Sequence, residues 1–108
     1  MTHLHGRRDL LHRDVGKRFR AAGWFAFDVA DRGDGFPDWL VCSPRGRVVL
    51  VEVKSVGGVL TDAEAKFSME YPGELVTVRT LADVDRIIEG GGDAQGQPWS
   101  RDRGQHAS

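Results

Sequence analysis

The run VVLVEVK at 48–54 restricts the fold more than any other segment, because its β-branched residues favour a strand. Side chains alternate between the two faces of a strand. One face therefore carries Val49, Val51 and Val53, and the other carries Leu50, Glu52 and Lys54. The valine face is predicted to pack against the core. A glutamate and a lysine then project together near the end of the strand.

A second predicted strand at 38–43 is joined to this run by Pro44-Arg45-Gly46. Pro favours the second position of a type I turn and Gly the left-handed position that follows, which predicts a three-residue hairpin loop. Counting back from this loop places Asp38 opposite Glu52. Like charges facing each other across a hairpin repel, so a compensating positive charge is expected, either Lys54 or a bound divalent cation. A slip of one residue would send one carboxylate to the other face.

Periodicity and turn signals predict seven elements in the order α-β-β-β-α-β-α. They are a helix at 8–22, strands at 24–29, 38–43 and 48–54, a helix to about 70, a strand at 75–78 and a helix at 81–89. The second helix should begin at Thr61-Asp62-Ala63-Glu64, which has the form of a capping box. No apolar period follows, so we predict one domain at 1–89 and a flexible polar tail at 90–108.

The bulk composition sets further limits. The chain has 108 residues, a net charge of −1 and a single cysteine, Cys42. An intramolecular disulfide and a cysteine-based zinc site are therefore excluded, and Cys42 is expected in the core. The near-neutral charge means that any nucleic-acid contact must rest on local basic residues. No stretch approaches the roughly 20 apolar residues of a membrane span, so no membrane association is expected.

Pro37-Asp38, then Glu52-Val53-Lys54, then a helix resembles the pattern of the PD-(D/E)XK nuclease superfamily. The chain is most similar to its compact stand-alone members, typified by the VRR-NUC domain and small phage-encoded nucleases. The resemblance covers roughly 8–89. It implies an α/β fold with a restriction-endonuclease-like αβββαβ core, in which helices flank a central mixed sheet.

The resemblance also implies roles for individual residues. Asp38 and Glu52 would bind Mg²⁺ or Mn²⁺, with the backbone carbonyl of Val53 as a third ligand. Lys54 would orient or deprotonate the attacking water. Many relatives add an acidic residue from the first helix, for which Asp14 is the nearest match and Asp9 the second. The products would carry a 5′-phosphate and a 3′-hydroxyl.

Nucleic-acid contacts are predicted less directly. Arg13 and Lys17 on the basic first helix, and Lys66 on the second, are candidates, although a solvated helix face also explains them. Relatives often have Gln near the position of Glu64. The capping box alone accounts for that residue here.

The terminal histidines have a simpler explanation. His3, His5 and His12 lack the partner spacing of a zinc site and are expected to be disordered.

The predicted function is therefore metal-dependent hydrolysis of DNA phosphodiester bonds. A junction-resolving or branched-DNA nuclease would share the same residues, and an inactive nucleic-acid-binding module would share the fold. The string E-x-K alone is common in proteins. The structural alternative to an active site is therefore a cross-strand ion pair on an exposed strand face. A homodimer is expected, in a bacterial or phage-infected host cytoplasm.

Overall fold

The computed structural model describes residues 3–90, with side chains described from residue 9 onward. The elements are α1 (His3–Ala21), β1 (Phe25–Asp28), a short 3₁₀ turn (Ala30–Arg32), β2 (Trp39–Cys42), β3 (Val48–Val53), α2 (Asp62–Glu70), β4 (Glu74–Val78) and α3 (Leu81–Gly90). The predicted order of helices and strands is confirmed. Helix α1 begins five residues earlier than predicted. The tail predicted at 90–108 lies outside the described residues, apart from Gly90, which closes α3.

The four strands form one mixed sheet in the order β1-β2-β3-β4. Strand β2 runs antiparallel to both β1 and β3, whereas β4 runs parallel to β3. The parallel pair is joined through α2, since parallel neighbours need a crossover connection. The α/β class and the central mixed sheet flanked by helices are confirmed.

The β2–β3 hairpin has the predicted register. Trp39 pairs with Val51 and Val41 with Val49. The turn is closed by a hydrogen bond of 2.9 Å from the Gly46 amide to the Ser43 carbonyl, and Gly46 has a φ of +94°. A left-handed residue at this point is the reason the sequence requires glycine.

The valine face of β3 is core, as predicted. Val49, Val51 and Val53 are fully buried. Helices α1 and α3 cover this face with the buried side chains of Val15, Phe19, Val84 and Ile87. The opposite face of β3 is buried as well, because Leu50 and Glu52 are only 4% and 3% exposed. Glu52 is therefore a buried acid.

The prediction that His12 is disordered is wrong. Its Nε2 lies 2.9 Å from the Asp28 carboxylate, and its ring stacks on Trp39 at 4.9 Å between centroids. The Trp39 indole N–H donates to the His12 carbonyl at 3.1 Å, and Gly16 lies directly against the same indole. These contacts attach α1 to β1 and β2.

Cys42 was expected in the core, but its side chain is only half-buried. Among residues 3–90, no helix combines the length and apolar character that a membrane crossing requires.

Candidate active site

The carboxyl groups of Asp38 and Glu52 are brought together, but the two residues are not a pair of the regular ladder. The regular ladder ends at Trp39 and Val51, and the Asp38 amide donates to the Val51 carbonyl at 3.0 Å, one residue out of register. If the ladder continued, Val53 would pair with Pro37. Proline has no backbone N–H, so it could not donate the second hydrogen bond of that pair. The Val53 amide instead donates to Oδ2 of Asp38 at 2.8 Å.

Asp38 is therefore held by backbone on several sides. Its amide donates to Val51 and its carboxylate accepts from Val53, both on β3, and its carbonyl accepts from the Val29 amide at 2.9 Å. The side chain is only 5% exposed, and Pro37 before it is fully buried. The Pro-Asp pair thus fixes one carboxylate at the point where β2 and β3 separate.

Glu52 lies beside this carboxylate, and its ionisation is costly. Burial raises the pKa of Glu52, and repulsion from Asp38 and then Glu64, with a hydrogen bond to Asp38, raises it further, whereas Lys54 partly offsets the rise. The resulting pKa of Glu52 is about 8. In addition, Oε2 of Glu52 is buried without a hydrogen-bond partner. A buried carboxyl oxygen of this kind is unfavourable unless something else binds to it.

Lys54 follows at the end of β3 and is paired. Its Nζ lies 2.8 Å from Oε1 of Glu64, and both side chains are less than one-fifth exposed. Burial raises the pKa of Glu64, but hydrogen bonds from Lys54 and the Thr61 amide outweigh burial, so the pKa of Glu64 is lowered. The cation of Lys54 is held by an ionised partner next to Glu52.

Glu64 is the site residue that the sequence analysis missed. The predicted capping box is confirmed, with hydrogen bonds of 2.9 Å from the Thr61 amide to Glu64 and 3.1 Å from the Glu64 amide to Thr61. The same carboxylate also contacts Lys54 and interacts with Glu52. The available signal was the capping box, which fixes the direction of a carboxylate at the start of α2.

The backbone after Lys54 is fixed by β4. The Lys54 amide donates to the Val78 carbonyl at 3.0 Å. The guanidinium of Arg79 donates to the carbonyls of Ser55 at 2.9 Å and Gly58 at 2.6 Å. These bonds determine the path of the chain between the lysine and α2.

The remaining predicted residues are not brought into this cluster. Asp14, Arg13 and Lys17 lie on α1, which packs on the valine face of the sheet, opposite the face of Glu52. Lys66 is exposed on α2, the helix that carries Glu64. The roles proposed for these four residues, and for the Val53 carbonyl, stay predictions.

The donors that are present suit a magnesium site with few protein ligands. Across the described part of the chain, no group of three or more His, Cys, Asp and Glu side chains could hold a metal ion. Mg²⁺ usually takes only one or two protein carboxylates and keeps several waters. Two adjacent buried carboxylates, one with an unpartnered oxygen, meet that requirement.

The sheet, the crossover helix and this cluster define an α/β domain of the PD-(D/E)XK fold. Among solved structures the chain is similar to a VRR_NUC domain, with a TM-score of 0.64 and 25% sequence identity, covering 76% of this chain and 94% of that one. VRR-NUC domains are part of the PD-(D/E)XK superfamily, so the resemblance inferred from the motif is confirmed. The similarity supports a nuclease of this fold. No protein-family profile and no curated protein matches the chain.

Proposed function

We propose that the protein is a metal-dependent nuclease that hydrolyses DNA phosphodiester bonds, with Asp38, Glu52 and Lys54 as its active site. The observation that carries the proposal is the buried pair of carboxylates beside a lysine, in which Oε2 of Glu52 has no partner. Structural stability alone gives no reason to keep such a pair, because above about pH 5 the raised pKa of Glu52 progressively lowers the stability of the metal-free fold. A site that binds a cation gives one.

Asp38 and Glu52 would hold the cation, Mg²⁺ or Mn²⁺, with the Val53 carbonyl as a further ligand. Bound there, the ion would polarise the scissile phosphate and lower the pKa of a water molecule. Asp38 is ready for this role because the Val53 amide already fixes its carboxylate. Glu52 must first lose its proton, which makes binding stronger as the pH rises towards 8.

Lys54 has a role apart from metal binding, at the phosphate that is cleaved. Its ammonium group donates hydrogen bonds and stabilises the negative charge that develops on the phosphate. Glu64 holds that group in place at 2.8 Å. The position of Lys54 therefore depends on α2 as well as on β3.

A plasmid-nicking assay tests this proposal. Wild-type protein should nick plasmid with Mg²⁺ and stop with EDTA, and Glu52→Gln should be inactive although folded. Glu89→Gln, an exposed acid on α3, is the matched control and should keep full activity. If wild type shows no Mg²⁺-dependent cleavage of duplex, flap or four-way DNA, the proposal fails. Cleavage that survives Glu52→Gln contradicts the assigned site.

We also infer that the chain forms a homodimer through the exposed side of β1. Phe25 and Phe27 are 59% and 57% exposed and stack at 6.3 Å between centroids, which gives an edge strand an apolar surface. Light scattering should give the mass of a dimer for wild type and of a monomer for the double variant Phe25→Ser, Phe27→Ser. A monomeric wild type contradicts the inference.

A further inference from the structure

A cavity of about 300 Å³ lies between α2 and the loop that leads to Asp38. It is lined by Asp34, Ala63, Lys66, Phe67 and Glu70. Two of these residues tie it to the active site, because Asp34 precedes Asp38 by one short loop and Ala63 immediately precedes Glu64. The cavity therefore lies on the loop that leads to Asp38 and on the helix that carries Glu64, and none of Asp38, Glu52 and Glu64 lines it.

The contact between the two walls is tight. Gly35 has a φ of +81°, and a Cβ atom there would lie 2.4 Å from the Ala63 carbonyl oxygen. Asp34 beside it has a φ of +58°, a left-handed conformation that Asp adopts more readily than most other non-glycine residues.

The apolar wall is an aromatic ring held in a fixed orientation. Phe67 meets Phe36 edge-on, with centroids 5.2 Å apart, and stacks with Tyr71 at 5.7 Å. A second cavity of about 190 Å³ lies along the same ring, lined by Phe67, Glu70 and Tyr71. The aromatic wall suits a flat group. Asp34 and Glu70 suit hydrogen-bond donors on that group, and Lys66 suits a phosphate attached to it.

We propose that this cavity receives one unpaired nucleobase of the DNA strand being cut, an inference that rests on the proposed nuclease function. The base packs against Phe67, the ammonium of Lys66 contacts a neighbouring phosphate, and Glu70 or Asp34 accepts from an exocyclic amine. Base–aromatic stacking is a strong and sequence-tolerant contact in single-strand recognition. A base inside a duplex reaches such a cavity only after unpairing and unstacking. The substrate class is therefore DNA with an unpaired nucleotide beside the scissile phosphate, as in a single strand, flap or bulge.

The test uses Glu52→Gln protein, which should bind DNA without cutting it. The probes are three DNAs of one sequence, a full duplex, a duplex with a one-nucleotide bulge and a single strand, each with 2-aminopurine at the test position. Anisotropy gives affinity, and quenching of 2-aminopurine fluorescence reports contact with the cavity. The bulged and single-stranded DNAs should bind more tightly than the duplex and should alone be quenched.

Two variants, each combined with Glu52→Gln, alter the cavity in different ways. Ala63→Leu fills it from an exposed helical position, and Phe67→Leu removes the aromatic face while keeping an apolar side chain. Each should reduce affinity for the unpaired DNAs by roughly 5- to 100-fold, which is the range for losing one stacked base, and leave duplex affinity unchanged. Met69→Ala is the matched control, because Met69 is on the same helix, is 85% exposed and does not line the cavity.

The outcomes separate this proposal from the one it rests on. Equal affinity for the three DNAs, or a preference that survives Ala63→Leu in a folded protein, overturns the base site and leaves plasmid nicking unaffected. A preference for unpaired DNA without Mg²⁺-dependent cleavage by wild type overturns the nuclease and keeps the base site. Failure to bind any of the DNAs overturns the base site directly.

Discussion

The metal-free domain should lose stability as the pH rises from about 5 to about 8, and Glu52→Gln should abolish that loss. The pKa of Glu52 is raised from an ordinary 4.5 to about 8 by burial and by the Asp38 carboxylate. A group whose pKa is higher in the folded state stabilises the fold below its unfolded pKa. That contribution disappears as the pH passes through the folded value. The direction is opposite to that of an ordinary salt-bridged acid.

The magnitude follows from the size of the rise. Each pKa unit of difference between folded and unfolded states corresponds to ~1.36 kcal/mol, so the contribution of Glu52 is roughly 3–5 kcal/mol. In a domain of this size 1 kcal/mol shifts Tm by roughly 4–8 °C. The gap in Tm between Glu52→Gln and wild type should therefore widen by more than about 10 °C between pH 5 and pH 8.5.

Thermal and urea denaturation in EDTA, at several pH values, measures this gap. Glu89→Gln, which replaces an exposed acid, should follow wild type at every pH. Excess Mg²⁺ should remove the advantage of Glu52→Gln at pH 8, since a bound cation stabilises the wild-type fold alone. A gap between Glu52→Gln and wild type that does not change with pH would refute the assignment of a raised pKa to Glu52.

Three further predictions use other residues. Glu64→Gln keeps the capping box but removes a charge that raises the pKa of Glu52. The midpoint of the rate–pH profile for nicking should therefore move to lower pH, and an unchanged midpoint would contradict the coupling between Glu64 and Glu52. Gly16→Ala would normally favour a helix, but the new Cβ would lie 2.3 Å from the Trp39 indole. It should lower the free energy of unfolding by roughly 1–3 kcal/mol in urea titrations, and a stabilised variant would show that α1 packs differently. Val51→Ala should cost roughly 2–3 kcal/mol by the same measurement, because Val51 is fully buried; a loss below about 1 kcal/mol would argue against this core.

Local chemistry explains the parts of the site that the sequence predicted. The turn Pro44-Arg45-Gly46 determines the hairpin register, and the alternation of β3 then separates the valines from Glu52. The capping box determined where α2 begins. Each of these predictions depends on a few neighbouring residues.

The parts that failed depend on distant contacts. The ladder ends before Asp38 because a side chain, rather than a backbone carbonyl, takes the Val53 amide. His12 is ordered because Trp39 and Asp28 lie beside it in the folded chain. The contact of Glu64 with Lys54 requires the intervening loop to turn back. The bonds from the Arg79 guanidinium that fix this path cannot be read from local pattern.

The most direct test of the account is calorimetric titration of the protein with Mg²⁺ at pH 6, 7 and 8, in two buffers of different ionisation enthalpy. Wild type should bind Mg²⁺ with proton release, and its affinity should rise by about tenfold per pH unit towards the pKa of Glu52. Folded Glu52→Gln and Asp38→Asn should each lose this binding, and Glu89→Gln should keep it. Binding that is independent of pH, or that survives either substitution, would contradict the claim that Asp38 and Glu52 form the metal site.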